Sequence, residues 1–248
     1  MKALSVTQPW ASVICSGMKD VENRLWQAAE APGRILIHAT QTKVPSNWEA
    51  FPDDYVSVIR NARLMGQIPE YKDMPYGAII GYVDCYKIVK GSDSFWAQPN
   101  SFHWCLKDAY LFDEPIPGIK GVRGHLFDVD IDENNLPPAH KVNLPIPEIQ
   151  GSNLIMPAGE EIMAMVESGV KEVAYELSVF AEQLFFDPNT GNPYPVKTIE
   201  FVGKDKTIKK DVEGIEVGNY TDDKNEPIEY IGFDGQPMQW CYVVVVLK

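Results

Sequence analysis

Hydrophobic and polar residues alternate with a two-residue period through much of this chain, the pattern of strands with one buried face. Met1 to Thr7 predicts a first strand, and Gly33 to Thr40, Tyr76 to Val89, Ser101 to Phe112 and Leu126 to Ile131 predict four more. The pattern changes after Thr7. Trp10, Val13 and Ile14 recur at helical spacing, and a short amphipathic helix is expected there. Pro9 suits its first turn, and Gly17 sits where a left-handed glycine would stop it. Val21, Asn23 and Leu25 then alternate with Glu22, Arg24 and Trp26. This strand projects Glu22 and Arg24 from one face, with Lys19 at its entrance. Pro45 to Gln67 is the least strand-like part of the first half. Asp53 can cap a helix running to Arg63, with Tyr55, Ile59 and Ala62 on one side.

Asp132 to Pro147 is polar and holds Pro137, Pro138, Pro145 and Pro147, residues that break both helix and ladder. A linker is placed at 136–150, between a first domain at 1–135 and a second at 151–248. Pro157 to Glu167 predicts a helix with Ile162, Met163 and Val166 on one side. After it, Ser168-Gly169-Val170-Lys171-Glu172-Val173 echoes Ser16-Gly17-Met18-Lys19-Asp20-Val21. Gln239-Trp240-Cys241 echoes His103-Trp104-Cys105, with a strand through Leu247 behind it. The second half therefore reads as a diverged copy of the first. In this alignment Glu22 and Arg24 become Ala174 and Glu176. Asp187 to Asn192 predicts a hairpin turn, and Lys204 to Lys210 a solvated basic loop. The fold class expected is mainly β with short helices (α+β).

Charge narrows the function. The chain has 248 residues and a net charge of −13. Residues 1–140 carry a net charge of −4 and residues 141–248 a net charge of −9. Neither half has the basic excess of a protein that grips long duplex DNA through its phosphates. The acidic second domain could serve a protein partner. No membrane-length apolar run and no signal pattern is visible, so a cytoplasmic location without membrane contact is expected. Cys15, Cys85, Cys105 and Cys241 lie in apolar segments without C-x-x-C spacing, so free thiols are expected rather than a metal site or disulfides. Neither a metal nor a cofactor is implied.

The stretch Gly17-x-Lys19-x-x-Glu22-x-Arg24 brings two cations and one anion beside a helix end, a cluster suited to an anionic or strongly polar ligand. It resembles the G-x-K-x-x-E-x-R signature of the ASCH domain family (activating signal cointegrator homology), a branch of the PUA-like superfamily. Leu4 to Ser12, Gly33 to Ala39, Gly77 to Gly81 and Phe102 to Trp104 resemble flanking segments of that family in order. Gly118 to Gly124, with Lys120 and Arg123, resembles its closing loop. The resemblance covers about residues 1–130. It implies a PUA-like β-barrel, and the echo in the second half implies two tandem copies, with Pro45 to Gln67 an insertion covering the first barrel.

The resemblance also implies binding of nucleic acid, most plausibly RNA, or of a nucleotide, in the cleft beside the motif. Lys19 and Arg24 would hold phosphate or a base edge, with Glu22 orienting them. Trp10 or Trp96 would supply a stacking surface, and His38 and Lys107 complete the candidate set. Some relatives of this fold are amidohydrolases of acetylated cytidine that use a lysine at the position of Lys19 and a threonine nucleophile at that of Glu22. Lys19 and Glu22 are thus the catalytic candidates of the alternative reading. A carboxylate cannot simply replace that hydroxyl, because attack would give an anhydride. With a carboxylate three residues away, Lys19 reads as a cationic contact rather than a base. As surface groups, Lys19 and Arg24 are expected to be removable at a cost within about 0.5 kcal/mol.

Overall fold

A computed structural model of the chain describes all residues except 29–31, 51–52, 143–146, 178–184, 188 and 233–234. In chain order the elements are β1 (Lys2–Val6), α1 (Trp10–Cys15), β2 (Val21–Arg24), β3 (Gly33–Ala39), α2 (Asp54–Leu64), β4 (Ala78–Val89), β5 (Phe102–Pro117), β6 (Phe127–Asp128) and β7 (Ala139–His140). They continue with β8 (Glu148–Gln150), β9 (Asn153–Pro157), α3 (Glu160–Glu167), β10 (Glu172–Glu176), β11 (Thr198–Val202), β12 (Thr207–Asn219), β13 (Glu229–Ile231), β14 (Pro237–Gln239) and β15 (Cys241–Leu247). The chain is mainly β with few helices, as the alternation implies. Among the described residues no helix is long and apolar enough to cross a membrane.

The chain forms two compact units. The first comprises Met1–Pro45 with Ile68–Leu144, the second Ser46–Gln67 with Pro145–Lys248. In the first, one mixed sheet runs β2-β5-β4-β3-β1-β6, with β7 added to β5. β1 and β3 are parallel and the other pairs antiparallel. Leu4, Val6, Ile35, Ile37, Ile80, Val83 and Trp104 point to one face and pack against Ile14 and Cys15 of α1. Ala3, Leu36, Ile79, Phe112 and Phe127 form a smaller cluster. Successive residues of β1 and β3 thus feed opposite clusters, the consequence of the strand period.

In the second unit the sheet runs β10-β15-β12-β11-β9-β8, with β9 and β11 parallel and the rest antiparallel. Taken element by element, β9-α3-β10-β11-β12-β15 follows the same order and pairing senses as β1-α1-β2-β3-β4-β5. The sixth strand differs in origin: β6 follows its sheet in sequence, whereas β8 precedes. Of the turn expected at Asp187 to Asn192, Pro188 lies outside the described residues; across it Asp187 N–H bonds Asn192 C=O at 2.9 Å. The basic stretch expected as a loop at Lys204 to Lys210 instead enters β12 at Thr207.

Three expectations need correction. The sheets are not closed barrels: among the described residues each is an open path of strands ending at β2 and β6 or at β10 and β8. Strands as short as β2 and β6 offer few groups for a closing ladder. The stretch 46–67, expected as an insertion in the first domain, belongs to the second unit. Asp53 does cap α2, accepting from Tyr55 and Val56 N–H, but the helix is held by Glu176. The Glu176 carboxylate is 2% exposed and accepts from Arg60, from Tyr220 Oη at 2.8 Å and from Trp240 Nε1 at 2.8 Å. The Asn61 carboxamide bonds both the N–H and the C=O of Glu176, at 3.0 and 2.9 Å. A buried carboxylate needs such partners, and all four side chains that satisfy Glu176 come from α2 (Arg60, Asn61) or the β12–β15 connection (Tyr220, Trp240).

The third correction is one of register. Leu106 N–H bonds Asp20 C=O, and Leu247 N–H bonds Lys171 C=O. Lys19 N–H returns to Val13 C=O in the first unit, and Val170 N–H to Met165 C=O in the second. Lys19 therefore takes the place of Val170, not Lys171. The second unit is one residue shorter between its left-handed glycine (Gly169, φ +82°, against Gly17, φ +82°) and its strand. Glu22 and Arg24, opposite Trp104 and Phe102, correspond to Val173 and Tyr175, opposite Val245 and Val243. Trp240 precedes β15 and does not occupy the place of Trp104.

Replacing Asn61 by Leu is expected to cost about 1–3 kcal/mol, because two main-chain groups of Glu176 lose their partner. Denaturant unfolding measured against the unchanged chain checks this.

Candidate functional site

The site begins with α1. The helix has six residues, its Ser12 N–H is taken by Gln8 Oε1 at 3.1 Å, and Gly17 turns the chain out of it. The return bond from Lys19 N–H to Val13 C=O directs the lysine inward, and its side chain is only 4% exposed. Its ammonium donates to the Val21 carbonyl and to Glu22 Oε2, the latter at 2.8 Å. The other oxygen of Glu22 lies 3.1 Å from Arg24 Nη2, which also donates to Ser5 C=O at 2.8 Å. Glu22 and Arg24 reach one another because residues two apart on a strand share a face.

The chain of contacts continues. Ser5 Oγ is 3.2 Å from His38 Nδ1, and His38 Nε2 is 3.0 Å from the Ile119 carbonyl. A carbonyl only accepts, so Nε2 carries the proton and Nδ1 accepts from the Ser5 hydroxyl. Burial lowers the His38 pKa from its ordinary value, an effect the Ile119 carbonyl partly offsets. Gly121 lets the 118–124 loop close on this pair. A Cβ there would lie 2.4 Å from the His38 ring and 2.6 Å from Ser5 Oγ. That loop presents Lys120 and Arg123 to solvent.

Five of the seven expected residues therefore share one neighbourhood: Lys19, Glu22 and Arg24 in direct contact, His38 through Ser5, and Trp10, whose ring centroid lies 5.9 Å from Lys19 Nζ. Trp96 is near but is no stacking platform. It is 4% exposed, packs edge-on against Trp10 at 6.1 Å and donates to Met18 C=O at 2.9 Å. Lys107 lies outside the ion chain. It lines a recess with Gly17, Lys19, Asp20 and Asp108, and its ammonium sits 5.6 Å from the Tyr86 ring. Ser5 carries no signal in the sequence: it takes part through its main-chain carbonyl and its hydroxyl, from an ordinary strand position. Among the described residues no group of His, Cys, Asp and Glu side chains is arranged to hold a metal ion.

Residues 4–110 match the model of the ASCH domain. That span, less than half of the chain, is where the likeness to the ASCH domain lies. Over 83 residues it is 40% identical to human activating signal cointegrator 1, a stretch that is 33% of this chain and 13% of that relative. The matched span holds every member of the ion chain as well as the 46–67 stretch, which folds with the second unit.

The burial of Lys19 overturns the expectation that it is a dispensable surface group. Lys19→Ala leaves a buried carboxylate with one cation fewer, and is expected to cost about 3–5 kcal/mol. Differential scanning calorimetry of the variant checks it. His38 yields a pH prediction. Its folded pKa lies below the ordinary 6.5, so the unfolded chain binds more protons as pH falls through that value. Stability held above the unfolded value is therefore lost on acidification below it. The melting point should drop between about pH 7.5 and 5.5, and drop less in His38→Gln.

Proposed function

We propose that the ASCH-like span of this chain binds nucleic acid, single-stranded RNA above all, or a nucleotide, beside Lys19, Glu22 and Arg24. The observation that carries this reading is internal to the protein. Where the first unit buries Lys19 and Glu22 and half-buries Arg24, the second has Val170, Val173 and Tyr175, of which Val173 and Tyr175 are in its apolar core and Val170 packs against it. A buried ion cluster can commonly be exchanged for apolar side chains without loss of stability. The strand order common to both units evidently does not need these charges, so their presence in the first points to a ligand. The family is associated with RNA binding, which supports the same choice.

The first unit carries exposed cations: Lys120 and Arg123 on the loop over His38, Lys87 on β4, Lys90 just after it and Lys107 on β5. They can contact a few phosphates, and the acidic remainder of the chain keeps that number small. Arg24, whose side chain is 17% exposed against 4% for Lys19 and 11% for Glu22, is the member of the ion chain placed to meet a ligand. Lys19, turned onto a carbonyl and a carboxylate, holds Glu22, which in turn orients Arg24. These same contacts occupy the group that an amidohydrolase would need as a base. The shared strand order supports two diverged copies of a PUA-like fold, of which only the first retains the charged cluster.

The test transplants the second unit's residues. Lys19→Val, Glu22→Val and Arg24→Tyr together should give a chain that melts cooperatively yet binds a short RNA oligonucleotide at least about tenfold more weakly, the loss of about 1.4 kcal/mol. Fluorescence anisotropy reads the affinity. Unchanged affinity in the folded triple variant would remove the site, and Arg24→Gln supplies the same comparison should the triple variant not fold.

A further inference from the structure

Ser5 and His38 are register partners in the parallel pair β1–β3. Their contact is that of a hydroxyl with a base. Nε2 of the ring donates to the Ile119 carbonyl at 3.0 Å, which leaves the Nδ1 lone pair to the Ser5 hydroxyl at 3.2 Å. Phe127 packs edge-on against the same ring at 5.9 Å. A hydroxyl, a neutral imidazole and a third group that orients the imidazole form the constellation of an activated nucleophile. The two side chains differ in exposure. His38 is 2% exposed, whereas Ser5 is partly exposed. Burial lowers the His38 pKa, so the imidazole is neutral near pH 7. The 118–124 loop approaches the pair at Gly121, whose backbone is not left-handed, so closeness to Ser5 and His38 rather than φ requires the glycine. Among the described residues the main-chain N–H groups of 118–124 make no hydrogen bond.

We propose that Ser5 is an acyl-accepting nucleophile with His38 as its general base, acting on small carboxylic esters. This activity does not rest on the RNA-binding reading above. Ser5 Oγ bonds to the ester carbonyl carbon while its proton passes to His38 Nδ1. The Ile119 carbonyl accepts from Nε2 throughout and steadies the imidazolium. The charge that develops on the carbonyl oxygen is met by N–H groups of the 118–124 loop, which have no other partner among the described residues. The bond from the carbonyl carbon to the alcohol oxygen then breaks, and the alcohol leaves with the proton from Nδ1. Water attacks the Ser5 ester in its turn, giving its proton to Nδ1. The acid departs, and Ser5 Oγ recovers the proton. Close approach of Gly121 to both Ser5 Oγ and the His38 ring leaves room for a small acyl group only. A main-chain carbonyl behind the imidazole carries less charge than a carboxylate would, so turnover is expected to be slow.

The experiment treats the full chain with a small fluorophosphonate, from which Ser5 Oγ would displace fluoride, and separately with p-nitrophenyl acetate. Peptide mass spectrometry should place the phosphonyl group on Ser5. His38→Gln should slow Ser5 phosphonylation and p-nitrophenolate release by at least about a hundredfold, the lower end of what a positioned base contributes. Ser5→Ala should reduce p-nitrophenolate release to that of the same chain unfolded in urea. An unlabelled Ser5 in the folded, unchanged chain would overturn the proposal whatever the variants do. Labelling at an equal rate in a folded His38→Gln variant, or in the unchanged chain unfolded in urea, would also overturn it, because Ser5 would then react as any exposed serine does. Should His38→Gln not fold, the comparison of the unchanged chain with and without urea decides alone.

Discussion

The site depends on one buried carboxylate. Glu22 lies between Lys19 and Arg24 with little solvent to screen it. Removing either cation leaves charge in a poorly hydrated place, and replacing all three by apolar groups leaves none. The first change is expensive and the second need not be. That asymmetry explains why the triad forms a unit and why its separate residues are poor guides to its purpose. It also explains the local architecture. A six-residue helix, a left-handed glycine and an inward return of the chain bring Lys19 to where β2 can present Glu22 and Arg24 to it. Arg24 then extends the contact to Ser5 on β1, which lies four strands away from β2 in the sheet order.

Much of the first unit was legible in the sequence because its signals are local. Period-two alternation placed β1, β3, β4 and β5 within a few residues, and the alternation of Glu22 and Arg24 gave their shared face. Asp53 announced α2 by the chemistry of its cap. What escaped was non-local. Nothing between Ser46 and Gln67 states that its partner is Glu176, more than a hundred residues away, since an amphipathic helix advertises an apolar face and not the surface it will cover. Trp96 shows the same limit. A tryptophan in a polar loop can stack on a ligand or plug a core, and only the Met18 carbonyl and the Trp10 ring decide for the core.

The repeat was legible in outline and misleading in detail. Ser-Gly-x-Lys recurs in both halves, and that likeness set Lys171 against Lys19. Hydrogen-bond phase places Val170 there instead. A single residue is enough to matter in a strand, because a shift of one exchanges its two faces. In the sequence alignment the triad's charges at Glu22 and Arg24 are replaced by Ala174 and Glu176, which suggests an altered surface. In the ladder they are replaced by Val173 and Tyr175, which are core residues.

This difference makes the second unit an internal control for the first. The two sheets have the same strand order, parallel pair and left-handed glycine at the helix end, so what they share reports the demands of folding. What differs at matched positions reports something else. The second unit fills the triad's place with apolar side chains, and it covers the adjoining edge with Asn61 and the helix that carries it. Both changes remove polar groups that would otherwise be available to another molecule. The first unit keeps an ion cluster with little access to solvent. Retaining it, when the same strand order stands without it, is not a demand of the fold and is consistent with the ligand-binding role proposed above.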